Sequence, residues 1–189
     1  MQPIPERMRG LDKDHRGYPI PFIVFRDSDN KPHFTINDTR KTMRCKTHDV
    51  CAICGTQLFR ARWFFGGPMS ALHENGAYID PPTHRECMEF AASTCPYISS
   101  QKYMKRIDGA TLDPNKAPGV LMLTDPTMDP NRPKIFVAVM AVGQKYTDHG
   151  YIVPNRPYRR MQFWRDGKMI QSFEQATIER AFEFMDRYK

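Results

Sequence analysis

Two short motifs in the first half of the chain each carry two residues that can bind a metal ion. They are a Cys-x-x-Cys pair and a His-x-x-Cys pair, separated by residues 55–83: Cys51, Cys54, His84 and Cys87. Thiolate sulfur and imidazole nitrogen are ligands that Zn²⁺ prefers, and four protein ligands leave no position for a reactive water. The glycine that follows the first pair supplies the positive φ that a tight turn often needs. The spacing therefore predicts a structural zinc site.

The second motif is expected to open a helix. The prolines at 81–82 favour an extended chain, Thr83 can act as the N-cap, and Glu86 can complete a capping box with it. His84 and Cys87 would then lie three residues apart on one helical face and point at the same ion. The positive end of the helix dipole also favours a thiolate at this position. A cysteine turn followed by a helix-opening ligand pair is the arrangement of a treble-clef zinc module.

Three further residues are close enough in sequence to substitute for one of these ligands: Cys45, His48 and Cys95. The next alternative is an all-thiolate site that recruits Cys45 or Cys95 in place of His84. A nucleophilic cysteine, either Cys45 or Cys95 paired with His48, is another alternative, although nothing in the sequence orients such a pair. The odd total of five cysteines argues against a disulfide framework and for a reducing compartment.

The order of these motifs resembles that of a group of uncharacterised bacterial and phage proteins. The likeness covers about residues 8–98 and is carried by an Arg-Gly-Tyr-Pro arm, the Cys-x-x-Cys pair, a Gly-Gly-Pro turn, a Pro-Pro-Thr-His-Arg-Glu-Cys segment and a final Cys-Pro-Tyr-Ile: residues 16–19, 51–54, 66–68, 81–87 and 95–98. The resemblance implies a CxxC…PPxHxxC zinc site and a bacterial or phage origin. It implies no activity.

The spacer between the two motifs raises the alternative of an HNH-like metal-dependent nuclease, because it contains His73, Glu74 and Asn75. Such a nuclease needs a general-base histidine on a strand and a second metal-binding histidine on the helix. Here the helix-opening His84 is already assigned to the zinc pair. The chain also has no Walker motif, no G-x-G-x-x-G and no G-x-S-x-G. We therefore expect a binding protein in preference to an enzyme.

The charge of the chain favours an anionic partner. Lysine and arginine number 28 against 21 aspartate and glutamate residues, a formal net charge of +7. Basic residues interleaved with aromatic ones suit phosphate contact and base stacking. The candidates are Arg40, Lys41, Arg44, Arg60, Arg62, Lys102, Lys105, Arg106, Arg159 and Arg160. We predict contact with nucleic acid or another polyanion, with a small phage-type factor that docks on an acidic host-protein surface as the alternative.

Length and hydropathy exclude several classes of protein. The chain has 189 residues, of which 40% are hydrophobic, enough to bury a core without disulfides. No apolar run reaches the roughly 18 residues of a transmembrane helix, so we expect no membrane partner. The proline-rich start lacks the apolar segment of a secretory signal. We expect a cytoplasmic location, in the host cytoplasm if the protein is phage-encoded.

The remaining patterns predict an α+β fold with a mixed or antiparallel sheet, few helices and the treble-clef-like zinc module. We expect one domain made of an arm and hairpin, the zinc module, a long connection and a C-terminal unit that packs with the first two parts: residues 1–44, 45–98, 99–133 and 134–189. The first part contains a hairpin over 21–36, followed by a short helix that is capped within residues 37–39 and ends at Arg44.

The C-terminal unit begins with a buried strand over 135–142. It continues with a hairpin over 158–170, in which Asp166 and Gly167 form the turn. Its last predicted element is a helix from an N-cap at Ser172, with an apolar stripe at helical spacing.

Overall fold

A computed structural model describes residues 2–100 and 133–188, so nearly all of the long connection predicted over 99–133 lies outside the described residues. Eight strands are assigned in the described part of the chain: β1 (Val24–Arg26), β2 (Pro32–Asn37), β3 (Ala61–Gly66), β4 (Phe136–Val142), β5 (Gln144–Tyr146), β6 (Ile152–Pro154), β7 (Arg160–Arg165) and β8 (Lys168–Glu174). The α-helices of the same residues are α1 (Thr39–His48), α2 (Pro68–Leu72), α3 (Arg85–Thr94), α4 (Pro96–Ser99) and α5 (Arg180–Asp186). The predicted antiparallel α+β class is confirmed. None of these helices has the length and apolar character needed to cross a bilayer.

The main sheet joins residues that are far apart in sequence. It has four antiparallel strands in the order β3-β4-β7-β8. Strand β3, from the spacer between the two metal motifs, pairs with β4 along its whole length, from Ala61 opposite Val142 to Gly66 opposite Val137. The spacer and the C-terminal unit therefore share one sheet.

Helices pack against both faces of this sheet. Adjacent residues of β3 point to opposite faces, so Trp63 and Phe64 belong to different hydrophobic clusters. Helix α5 packs on the face that contains Phe163, and α3 contributes Met88 to the face that contains Trp164. Because α3 begins at the second metal motif, its packing on the sheet fixes the position of that motif.

The predicted strands and hairpins are present. Strands β1 and β2 form the first hairpin, and β4 is the buried strand expected over 135–142. Strands β7 and β8 form the second hairpin, whose turn residues Asp166 and Gly167 have φ values of 49° and 74°. Two successive positive φ values are typical of the two-residue turns that match the twist of a hairpin.

Two predicted boundaries are wrong. The helix does not begin after Ser172, because β8 continues to Glu174 and places Phe173 opposite Met161 in the sheet. A short 3-10 turn follows, and α5 begins only at Arg180. Pairing with β7 and burial of Phe173 outweigh the local capping signal. The predicted helix after Thr39 is longer than expected and ends beside Asp49, which has a left-handed φ of 51°.

Candidate metal centre

The structure brings the four predicted residues together. Their ligand atoms all lie within 4.8 Å of one another, and all four side chains are buried: Cys51, Cys54, His84 and Cys87. Within residues 2–100 and 133–188, no other group of three or more histidine, cysteine, aspartate or glutamate side chains could hold a metal ion. Buried thiols and an imidazole at this separation match the donor set of a four-coordinate metal site.

The first pair lies in a tight turn held by the backbone. The amide of Gly55 donates to the carbonyl of Cys51 at 2.8 Å, and the amide of Cys51 donates to the carbonyl of Thr56 at 2.8 Å. The amide of Ile53 points at the Cys51 sulfur, 3.4 Å away. Gly55 has a φ of 72°, the left-handed value that glycine adopts without strain. The turn therefore directs both sulfurs to one side and gives one of them an amide donor.

The second pair is positioned by β3. The backbones of Thr83 and Trp63 form reciprocal hydrogen bonds of 2.8 and 3.0 Å, and the Thr83 hydroxyl donates to the Trp63 carbonyl. The sequence predicted Thr83 as the N-cap of this helix, and that prediction is wrong. His84 is the N-cap of α3, without a side-chain capping bond, and Cys87 is the third residue of the helix. The bridge to β3 thus holds both ligands beside the cysteine turn.

The imidazole of His84 is oriented for a metal ion. Its Nε2 lies 2.9 Å from the backbone carbonyl of Gln57. Since a carbonyl only accepts, Nε2 carries the proton and Nδ1 faces the cluster, 3.4 Å from the Cys54 sulfur. Two donors at tetrahedral zinc lie about 3.5 Å apart, close to this separation. A metal-binding histidine commonly donates its second ring N–H to a carbonyl in this way.

The electrostatics of the cluster also suit a cation. Hydrogen bonds with the sulfurs of Cys51 and Cys54 raise the pKa of His84 to about 10. Contacts with Cys51 and Cys87 lower the pKa of Cys54 well below its usual range, and contacts with Cys51 and Cys54 raise the pKa of Cys87. The buried sulfurs thus compete for protons. A divalent cation can replace these protons, because it binds thiolates and a neutral imidazole.

The substitute ligands lie elsewhere. Cys45 is buried in a separate apolar cluster with Ile23 and Val50, and burial raises the pKa of its thiol to about 12. The Nδ1 of His48 contacts the Thr47 hydroxyl at 2.7 Å. Cys95 is half-buried at the end of α3. None of the three belongs to the cluster, and the raised thiol pKa of Cys45 also disfavours it as a nucleophile.

The nuclease alternative gains no support from the described residues. His73 and Glu74 are exposed in the turn after α2. The Nδ1 of His73 accepts a hydrogen bond from the Asn75 amide at 3.1 Å. No second group of metal-binding side chains is found in residues 2–100 and 133–188.

The predicted basic residues divide into three sets. Lys102, Lys105 and Arg106 lie outside the described residues. Arg62 is buried, where it donates to Asp49 at 2.6 Å, and Arg160 forms an ion pair with Glu174 at 2.6 Å. The exposed ones are Arg40, Arg44, Arg60 and Arg159. Lys41 is half-buried, and its Nζ donates to the Val24 carbonyl at 2.8 Å. Arg62 and Arg160 hold the fold together and are left out of the candidate binding surface.

Helix α1 carries most of the remaining basic side chains, and Phe22 connects it to the cysteine turn. Lys41 and Arg44 both lie over the Phe22 ring, 5.9 and 5.7 Å from its centroid. The amide of Phe22 donates to the Ile53 carbonyl at 2.7 Å. This role of Phe22 could not be predicted from the sequence, because its partners come from two other segments. The basic face of α1 therefore depends on the turn that carries the cysteines.

No family model, curated protein or solved structure matches this chain.

Replacing Gly55 with alanine is expected to destabilise the cysteine turn. A Cβ at this position would lie 2.9 Å from Cδ2 of Phe22, on a residue with a φ of +72°. We expect a loss of about 1–3 kcal/mol in the free energy of unfolding, measured by denaturant titration. The control is Gly10→Ala, because no atom lies within 4 Å of that Cβ, and a shift below about 0.5 kcal/mol is expected. Equal stability of the two variants would contradict the tight packing on Phe22.

Proposed function

We propose that this chain is a zinc-stabilised binding protein in which Cys51, Cys54, His84 and Cys87 hold one structural Zn²⁺. The observation that carries the proposal is the convergence of four buried donors, one of them oriented by the Gln57 carbonyl. Three sulfurs and one nitrogen favour zinc over the hard cations, which prefer oxygen. Four protein ligands in a buried site favour a structural ion. When bound, the ion would tie the cysteine turn to the start of α3.

The order of elements around this site supports a treble-clef-like module. The cysteine turn is followed by β3, by a single bridge at Thr83 and then by α3. A treble-clef module usually has a two-stranded hairpin between its two ligand pairs. Here the second strand of that hairpin is reduced to the bridge at Thr83, and β3 pairs along its length with β4. The module would thus use the main sheet in place of a hairpin of its own.

We further propose that the exposed face of α1 binds nucleic acid. Arg40 and Arg44 are four residues apart and so lie on the same side of the helix. The Arg40 side chain is 92% exposed, and Arg44 is held over Phe22. Guanidinium groups presented from a rigid helix suit phosphate oxygens. The net charge of +7 would raise the rate of association with a polyanion.

The test is binding of fluorescent mixed-sequence DNA and RNA at about 50 mM and about 200 mM salt. The variant Arg40→Glu/Arg44→Glu is expected to bind about tenfold more weakly and to lower the salt slope by about two. The control is Lys168→Glu/Arg180→Glu, which makes the same change in net charge at exposed residues outside α1 and should retain most of the affinity.

Failure of the wild-type chain to bind at low salt would reject the nucleic-acid proposal. In that case, the alternative of a factor that docks on an acidic host protein predicts a specific partner in a pull-down from nuclease-treated lysate. Equal weakening of the two double variants would show that net charge, and not α1, determines binding.

A further inference from the structure

The N-terminal arm, defined here as residues 4–11, forms the outer wall of the metal cluster. Met8 is 2% exposed and packs in one hydrophobic cluster with the three cysteines of the site. Ile4 and Leu11 pack against the same cluster from either end of the arm. Just before the arm, Gln2 accepts a hydrogen bond of 2.9 Å from the Ser93 hydroxyl of α3. The arm therefore covers both the cysteine turn and the helix.

Arg7 makes the polar contacts of the arm. Its Nε donates to a carboxylate oxygen of Glu86 at 2.7 Å. Its guanidinium also lies 5.2 Å from the centroid of the Phe59 ring. The Phe59 ring meets the His84 imidazole edge-on at 5.5 Å. Arg7 thus touches residues from both halves of the metal site.

The net charge of the zinc-loaded centre favours a cationic side chain such as Arg7 beside it. Three thiolates and a neutral imidazole around a divalent cation carry a net charge of −1, and groups outside the ligands tune such a centre. The pKa of Arg7 is raised, chiefly by its hydrogen bond with Glu86 and further by the negative charges of Glu86, Cys54 and Cys87. A guanidinium at this position stabilises the loaded centre and offsets the repulsion from the Glu86 carboxylate.

We infer that the arm is a metal-dependent cover, and that Arg7 is the positioning residue that holds it on the loaded centre. The inference rests on the proposed zinc site. The surface under Met8 comes from the cysteine turn and from α3, and the metal would join these two elements. Loss of the metal separates them and frees the arm, while the docked arm slows escape of the metal.

The first experiment measures zinc release to a chromogenic chelator from the zinc-loaded 189-residue chain. Arg7→Gln is expected to accelerate release about tenfold, whereas Arg7→Lys, which keeps the charge, should recover part of the difference. Added salt should accelerate release from the wild-type chain more than from Arg7→Gln, because screening weakens only an existing charge interaction. Arg9→Gln is the matched control, since Arg9 is exposed two residues away, and should match the wild type.

The second experiment is amide hydrogen exchange over residues 4–11 with and without zinc. We expect protection in the loaded chain and its loss after chelation. If the wild-type chain binds no zinc, the proposed function and this inference fail together. If it binds zinc but Arg7→Gln releases the ion at the wild-type rate, or the arm is equally protected without zinc, only this inference is overturned.

Discussion

Replacing Cys87 with serine should abolish zinc binding and strongly lower the thermal unfolding midpoint of the native chain. Cys87 is fully buried in the first turn of α3 and is one of the four converging donors. The apparent binding free energy of a structural zinc is about 10–16 kcal/mol, comparable to the roughly 5–15 kcal/mol by which a whole domain is stable. Thermal unfolding followed by circular dichroism, with parallel metal analysis, measures both effects.

Cys95→Ser is the matched control for this experiment. Cys95 follows the same helix but lies outside the cluster, so its replacement should leave the metal bound and shift stability by less than about 1 kcal/mol. Chelation of zinc from the wild-type chain should reproduce the behaviour of Cys87→Ser. A Cys87→Ser variant that keeps one metal per chain and melts with the wild type would contradict the assignment.

The second large effect is expected in the core between the sheet and α5. Phe163 is fully buried on β7, and its ring lies 4.9 Å from Phe184 and 5.9 Å from Phe173 between centroids. Phe163→Ala removes these contacts and leaves a cavity that the surrounding strands cannot fill. We expect a loss of about 3–5 kcal/mol in the free energy of unfolding, measured by denaturant titration.

Phe182→Ala is the control for the core prediction, because Phe182 lies on α5 with Phe184 but is 49% exposed. Its replacement should change the free energy of unfolding by about 0.5 kcal/mol or less. A similar loss from both substitutions would mean that α5 does not pack on the sheet as the structure shows.

The metal cluster was predictable because its signal is local. Each ligand pair is separated by two residues, so the turn around Gly55 and the first turn of α3 each bring their own pair together. Two such pairs in one chain then predict a single four-residue cluster. The hairpin turn at Asp166 was predictable for the same reason, since turn chemistry depends on adjacent residues.

Pairings over long distances could not be predicted. Strand β3 pairs with β4, more than 70 residues later in the chain, and no local pattern identifies that partner. The same contacts decide boundaries: Phe173 remains in β8 because Met161 lies opposite it, and Thr83 gives up the capping position because Trp63 binds it. Tertiary contacts therefore override two plausible capping signals.

The roles of single basic residues also could not be predicted from the sequence. Arg62 belongs to a basic, aromatic-rich stretch, yet its guanidinium is buried against Asp49. Arg7, in a proline-rich arm with no metal motif, lies beside the metal cluster. Charge counts predict an anionic partner in general terms, whereas burial decides which cations can reach it.

Metal analysis of the 189-residue chain, purified without added zinc or chelator, is the decisive test of the proposed zinc site. We predict one zinc ion per chain, held by the three cysteines and His84 that the fold brings together. A folded chain that contains well under one metal ion per molecule would contradict it.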